Sequence, residues 1–138
     1  ADPLLIPGMS DAADRVMRAL ADHEVIAVFG DFDVDGMSST CLLSLALRRL
    51  GAEVHPFIPN RFGEGYGLSR EALARVRQTC EPDLVITVDN GIAAREEVAW
   101  LVSEGVDVVV TDHHEPADLV PEGVPVTDPK LSADCPSR

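Results

Sequence analysis

VIAVFGDFDVDG, Val25 to Gly36, changes character in its middle. Five apolar residues, Val25 to Phe29, run into three aspartates at alternate positions, Asp31, Asp33 and Asp35. A short apolar run closed by glycine is the pattern of a strand covered on both faces. Three carboxylates at the tip of such a strand repel one another, and they either take up protons or need cations.

Outward from this stretch the chain alternates helix and strand. Upstream, SDAADRVMRALADH sets Ala13, Val16, Met17 and Leu20 on one stripe, a helix with Ser10 or Asp11 as its N-cap. Downstream, the pattern predicts a helix from about Met37 to Leu50, closed by Gly51. EVHPFIP reads as a short strand whose Pro56 fits an edge or a bend. NRFGEGYGL is a glycine-rich loop, and SREALARVRQTC a helix capped by Ser69. DLVITV is a strand ending at Asp89, AREEVAWLVSEG a helix ended by Gly105, and VDVVVT a strand ending at Asp112. A last short strand is expected around Val124 to Thr127. Apolar strands separated by helices imply an α/β fold, a mostly parallel sheet of about five strands with helices on both faces.

The length of 138 residues suits one compact domain, and 46% hydrophobic with 25% charged residues excludes a disordered chain. No apolar run is long enough to cross a bilayer, and no basic leader precedes an apolar stretch, so neither a membrane span nor a signal peptide is expected. The three cysteines, Cys41, Cys80 and Cys135, form no C-x-x-C pair, which points to a reducing, cytoplasmic setting without zinc clip or disulfide framework. Cys41 falls in an apolar helical pattern and is expected in the core. The opening ADPLL, without Met, and the loop-like closing CPSR read as part of a longer chain. A net charge of −13 argues against a nucleic-acid groove lined by this segment, because phosphate binding needs Lys and Arg. The acids serve solubility, or some of them neutralise bound metal.

Their positions favour metal. In open α/β sheets ligands bind beyond the carboxyl ends of the strands. Three strands end there in metal-binding residue types: Asp31, Asp33 and Asp35 on the first, Asp89 in TVDNG on the third, and Asp112, His113 and His114 in TDHHE on the fourth. No Lys or Arg lies within these segments to neutralise them. Oxygen ligands with one or two imidazoles suit Mn2+ or Mg2+. Two such ions can activate water and clamp an in-line displacement at phosphorus. Gly36 would let the loop turn tightly, and the following helix start, with Ser38 and Ser39, would offer N–H groups to a phosphate oxygen. Each signal alone has a plainer reading. D-x-D-x-D also occurs in calcium loops, although an EF-hand needs a helix before the loop and a glutamate at its twelfth position. Asp89 could simply cap a helix, and paired histidines are often surface residues. In the glycine-rich loop Arg61 could contact a phosphate or pair with Glu64, and Tyr66 could stack on a base or pack on the sheet. His23 and His55 carry no assigned role, and Trp100 fits core packing on a helical stripe.

GDFDVDG, ITVDNG and TDHHEP in that order resemble the first three motifs of the DHH phosphoesterase superfamily. With PNRFGEGYGLS and CPSR the resemblance covers nearly the whole chain and is to that family's bacterial single-strand-specific 5′→3′ exonucleases. It implies Asp33 and Asp35 as metal ligands, Asp89 as the carboxylate bridging two ions, and His113 as the imidazole ligand. It implies Asp112 as the acid orienting a histidine, and His114 either near the scissile phosphate or stabilising the loop. Asp31 stands either as a ligand or as an orienting acid. Some members carry a histidine ligand where Phe29 stands here. The resemblance further implies Mn2+ or Mg2+ as cofactor, two ions in the full enzyme, and release of 5′-mononucleotides from single-stranded DNA in repair and recombination. The expected partners are single-stranded DNA and other repair proteins, around a monomer. The family's fourth motif, another metal-binding aspartate, and the later domains would lie beyond Arg138. Residues 1–138 then form the first catalytic domain, incomplete at its C-terminus and inactive alone. Alternatives are a phosphodiesterase for short oligonucleotides or cyclic dinucleotides, a scaffold without chemistry, and a receiver-like signalling domain. Intact acids in the motifs speak against the scaffold, and the adjacent histidines against the receiver.

Overall fold

The structure is a computed structural model and describes residues 2–59 and 67–138. Five parallel strands form one sheet in the order β2-β1-β3-β4-β5. They are β1 (Val25–Phe29), β2 (Glu53–Phe57), β3 (Leu84–Val88), β4 (Asp107–Thr111) and the two-residue β5 (Val126–Thr127). Four helices cover it: α1 (Met9–Ala21), α2 (Val34–Arg49), α3 (Arg70–Cys80) and α4 (Arg95–Ser103). The expected α/β architecture is the one observed. Pro56 lies on β2, an edge strand, where its missing N–H interrupts no ladder.

Alternate residues of each strand feed two cores. Ala27, Phe29, Val85, Val108 and Val110 pack with Leu73 and Val76 of α3 and Val98 and Leu101 of α4. Ile26, Val28, Ile86 and Val109 pack with Ala12 and Ala19 of α1 and Leu47 of α2 on the other face. Phe29 is fully buried in the first core, so its position serves packing in this chain and not ligation. From β1 the chain crosses outward to β2, then returns past β1 to β3. The crevice between the ends of β1 and β3 is therefore the switch point of the sheet, where such folds bind ligands.

Three local expectations need correction. Helix α1 starts at Met9 with Gly8 as N-cap, not at Ser10 or Asp11. Gly8 has φ 76°, and a Cβ there would run into the Val126 carbonyl, so close approach to β5 sets that boundary. Helix α2 begins at Val34, three residues earlier than the apolar pattern suggests, because Asp33 caps it by accepting the Gly36 N–H at 2.8 Å. Gly36 is thus a first-turn helix residue whose bare Cα lets the Asp31 backbone pack against it. Cys41 is exposed: Gly36, Thr40, Ser44 and Leu47 form the buried stripe of α2, and Cys41 lies to one side of it.

Candidate metal centre

The tips of β3 and β4 meet through one short contact. His113 Nε2 lies 2.6 Å from Asp89 Oδ1. The chain adopts φ 61° at Asp89, a left-handed conformation that aspartate enters only under constraint. Two threonines supply part of it. Thr87 Oγ1 donates to the Asn90 carbonyl at 3.0 Å, and Thr111 Oγ1 donates to the Thr87 carbonyl at 2.6 Å. Asp112 organises the neighbouring turn. Its Oδ1 accepts the His113 N–H at 2.8 Å and lies 2.6 Å from His114 Nδ1, while its Oδ2 accepts the Ile92 N–H at 3.1 Å. The segment beyond His114 is tied down by Arg95, which donates through Nε to the Val120 carbonyl at 2.9 Å.

Asp89, Asp112, His113 and His114 each offer one ligand atom within 4.8 Å of the others. Asp89 and Asp112 are buried, while both imidazoles reach solvent. Burial pushes the Asp89 carboxyl above its usual range; the His113 hydrogen bond pulls it down, and nearby Asp33 pushes it up again. The Asp112 hydrogen bond raises the His114 pKa against the opposing effect of burial, with Asp112, Asp89 and Asp128 adding to the rise. Among the described residues no Lys or Arg forms an ion pair with Asp33, Asp35, Asp89 or Asp112.

The first motif approaches from α2. Asp33 borders Asp89 while capping the helix. Asp35, Ser38, Ser39, Leu42 and Leu43 form one wall of a groove of about 550 Å³, and Val88, Asp89, Thr111, Asp112 and His113 form the rest. Asp31 Oδ1 accepts the Phe32 N–H at 2.8 Å, and Asp31 is not among the residues lining this groove. The early helix start changes the expected part of Ser38 and Ser39. Their N–H groups lie past the first turn, inside the helical ladder, so only their side chains face the groove. Ser39 Oγ donates to the Asp35 carbonyl at 2.6 Å. Arg61, Glu64 and Tyr66 lie outside the described residues.

Divalent metal fits this set on one feature. Asp89 Oδ2 is buried without a hydrogen-bond partner, although its Oδ1 is engaged. Such an oxygen is costly unless a cation or water occupies the space before it. Further orphaned atoms crowd the same edge: both side-chain polar atoms of Asn90, Thr127 Oγ1 and Asp128 Oδ2. The acid at 128 escaped the reading by strand tips. Its signal was present, since Asp128 directly follows the short strand ending at Thr127.

Comparison with known proteins identifies the family and the fold. The DHH family, N-terminal domain, matches residues 25–137. The chain belongs to the DHH family. It is 41% identical over 94% of its length to the single-stranded-DNA-specific exonuclease RecJ of Bacillus subtilis, and 44% identical over 97% to that of Dickeya dadantii. It spans only 16% and 23% of those two proteins. A crystal structure of exonuclease RecJ bound to manganese superimposes with a TM-score of 0.84 at 41% identity, over 94% of this chain and 33% of that one. Among the described residues no helix of this DHH domain is long and apolar enough to cross a membrane.

Proposed function

We propose that this DHH domain is the metal-binding part of a single-strand-specific 5′→3′ exonuclease, acting in the cytoplasm in repair and recombination. It is the first catalytic domain of a longer, monomeric protein that works with other repair proteins. The reading is carried by Asp89, a buried carboxylate with one oxygen on His113 and the other unbonded, at the switch point of the sheet. The names of the relatives supply the substrate, single-stranded DNA, and the manganese of the matched RecJ structure supplies the cofactor class.

Asp33, Asp35, Asp89 and His113 would hold Mn2+ or Mg2+, with Asp89 the central carboxylate of the set. Divalent metal supplies Lewis acidity at a phosphoryl oxygen and lowers the pKa of water enough for attack near neutral pH. Asp31 supports the loop through the Phe32 N–H. Asp112 holds the His113–His114 turn by three bonds to it, and its pairing with His114 favours the protonated imidazole. His114, with Nδ1 2.6 Å from Asp112, stands beside the centre, either near the scissile phosphate or stabilising the loop. Ser38 and Ser39 line the approach from α2. With a net charge of −13, this domain leaves the gripping of DNA to other parts of the protein, and the isolated 138 residues lack nuclease activity.

Titrating Mn2+ into the wild-type chain and His113→Ala by calorimetry tests the centre. Binding by wild type, weakened roughly tenfold to a hundredfold in the variant, is expected. Equal binding by the two would remove the basis of the assignment. For the substrate, the full-length enzyme should digest long single-stranded DNA in preference to dinucleotides. The reverse preference would make it a short-oligonucleotide phosphodiesterase.

A further inference from the structure

The tip of β5 stands beside the centre, and its acid is not among the ligands assigned to the metal. Thr127 pairs in register with Thr111, and the Asp112 N–H donates to the Thr127 carbonyl at 3.0 Å. The next residues in register are Asp112 and Asp128. Neighbouring parallel strands lie about 4.8 Å apart, and residues in register direct their side chains to the same face. The two carboxylates are thus set next to each other at the carboxyl edge of the sheet.

Asp128 is fully buried, at 0% exposure. One of its oxygens has an evident structural role, since Oδ1 accepts the Lys130 N–H at 2.8 Å and caps the single 3-10 turn Pro129–Leu131. The other, Oδ2, is buried with no partner. A serine or asparagine could cap that turn without burying a charge. Burial raises the Asp128 pKa; the Lys130 N–H bond lowers it, Asp112 raises it, and Lys130 and His113 lower it further. The charge at 128 therefore acts on the same groups that form the centre. No guanidinium or ammonium is paired with Asp128 among the described residues.

We propose that Asp128 is a positioning residue of the metal centre, a carboxylate from a fourth strand tip that lies beside Asp112 and strengthens the hold of the Asp89–His113 site on a divalent cation. Its unbonded oxygen adds negative potential where Asp112 already carries four hydrogen bonds, to the His113 and His114 N–H groups, the His114 ring and the Ile92 N–H. Asp112 is committed to holding the turn, so further stabilisation of dipositive charge on this side can come from the next strand. Asp128 is placed to supply it without being a ligand: it stands outside the group of four whose ligand atoms lie within 4.8 Å of one another. The proposal rests on the metal-binding reading of Asp89 and His113.

The experiment compares Mn2+ binding by calorimetry for wild type, Asp128→Asn, Asp128→Ser and Asp89→Ala, with thermal melts of each in chelator. Asn and Ser both remove the charge and keep the cap. Both are expected to melt close to wild type yet bind Mn2+ roughly tenfold to a hundredfold more weakly. If both bind as wild type does while Asp89→Ala does not, Asp128 is only a helix cap and the proposal is wrong. If both melt well below wild type and regain its affinity at a temperature where they are folded, the role is structural and the proposal is again wrong. If Asp89→Ala binds as wild type does, the metal reading itself fails and takes the role of Asp128 with it.

Discussion

His113 Nε2 and Asp89 Oδ1, at the ends of adjacent strands β4 and β3, are 2.6 Å apart. They are separated by 24 positions in sequence, yet the parallel register Val88↔Thr111 brings the residues after each strand side by side. The pair joins the second and third motifs, and Asp33 brings the first to the same carboxylate.

Asp89 holds two unfavourable features at once, a left-handed backbone and a buried acid whose pKa is raised by desolvation. Asp89→Gly should relieve both. In chelator the variant is expected to melt at or above wild type, with a backbone gain of about 1 kcal/mol. Mn2+ should stabilise wild type by about 2.7 kcal/mol at a hundred times its Kd and leave the variant unmoved. A variant that melts lower and still responds to Mn2+ would show that Asp89 is there for the fold.

The metal-free protein should lose stability as pH rises above about 6.5. His114 has a folded pKa raised above its ordinary 6.5, first by its bond to Asp112. The folded state therefore holds the proton more tightly than the unfolded one. This contribution is fully present below about pH 6.5 and is lost as pH rises through the higher folded value. Thermal melts in chelator across this range should fall for wild type. They should fall less for Asp112→Asn, which removes the charge that raises the pKa. Equal slopes would show that the pairing is too weak to matter.

Gly36→Ala should damage fold and centre together. The added Cβ would collide with the backbone of Asp31, which has no flexible end to move aside. Overpacking of this kind costs roughly 1–3 kcal/mol. The loop carrying Asp33 has to shift to relieve it, so a lower melting temperature and weaker Mn2+ binding are both expected. A variant with either property unchanged would show that the loop can rearrange freely.

Arg15 offers a control at the opposite edge of the sheet. From α1 it reaches Asp107 at the start of β4 at 2.8 Å and Glu24 before β1 at 2.7 Å, with its side chain only 10% exposed. Arg15→Met should cost roughly 1–3 kcal/mol, because it leaves partly buried acids without their partner. Its Mn2+ affinity should match wild type once the protein is folded. A large loss of affinity would mean that the centre responds to general loosening of the sheet.

The order of elements was legible in the sequence because apolar runs of strand length and helical stripes report burial directly. Phe29 or Val85 must be covered wherever the chain goes, and the parallel sheet follows from helices between covered strands. The acids of the three motifs were legible as a group for a related reason: each follows an apolar run, and in a parallel sheet all such ends share one edge. What the linear chain could not reveal depends on contacts between segments distant in sequence. Gly8 rather than Ser10 caps α1 because β5 passes close to it. The early start of α2 is a local exception: Asp33 caps it through the Gly36 N–H three residues on, so Ser38 and Ser39 keep their amides inside the helix. Cys41 is exposed because the sheet selects the stripe through Thr40, Ser44 and Leu47. Above all, Asp89, Asp112 and Asp128 become neighbours only through the register of β3, β4 and β5. Local sequence determines which residues are charged and where strands end, whereas the sheet alone decides which charges must share one space.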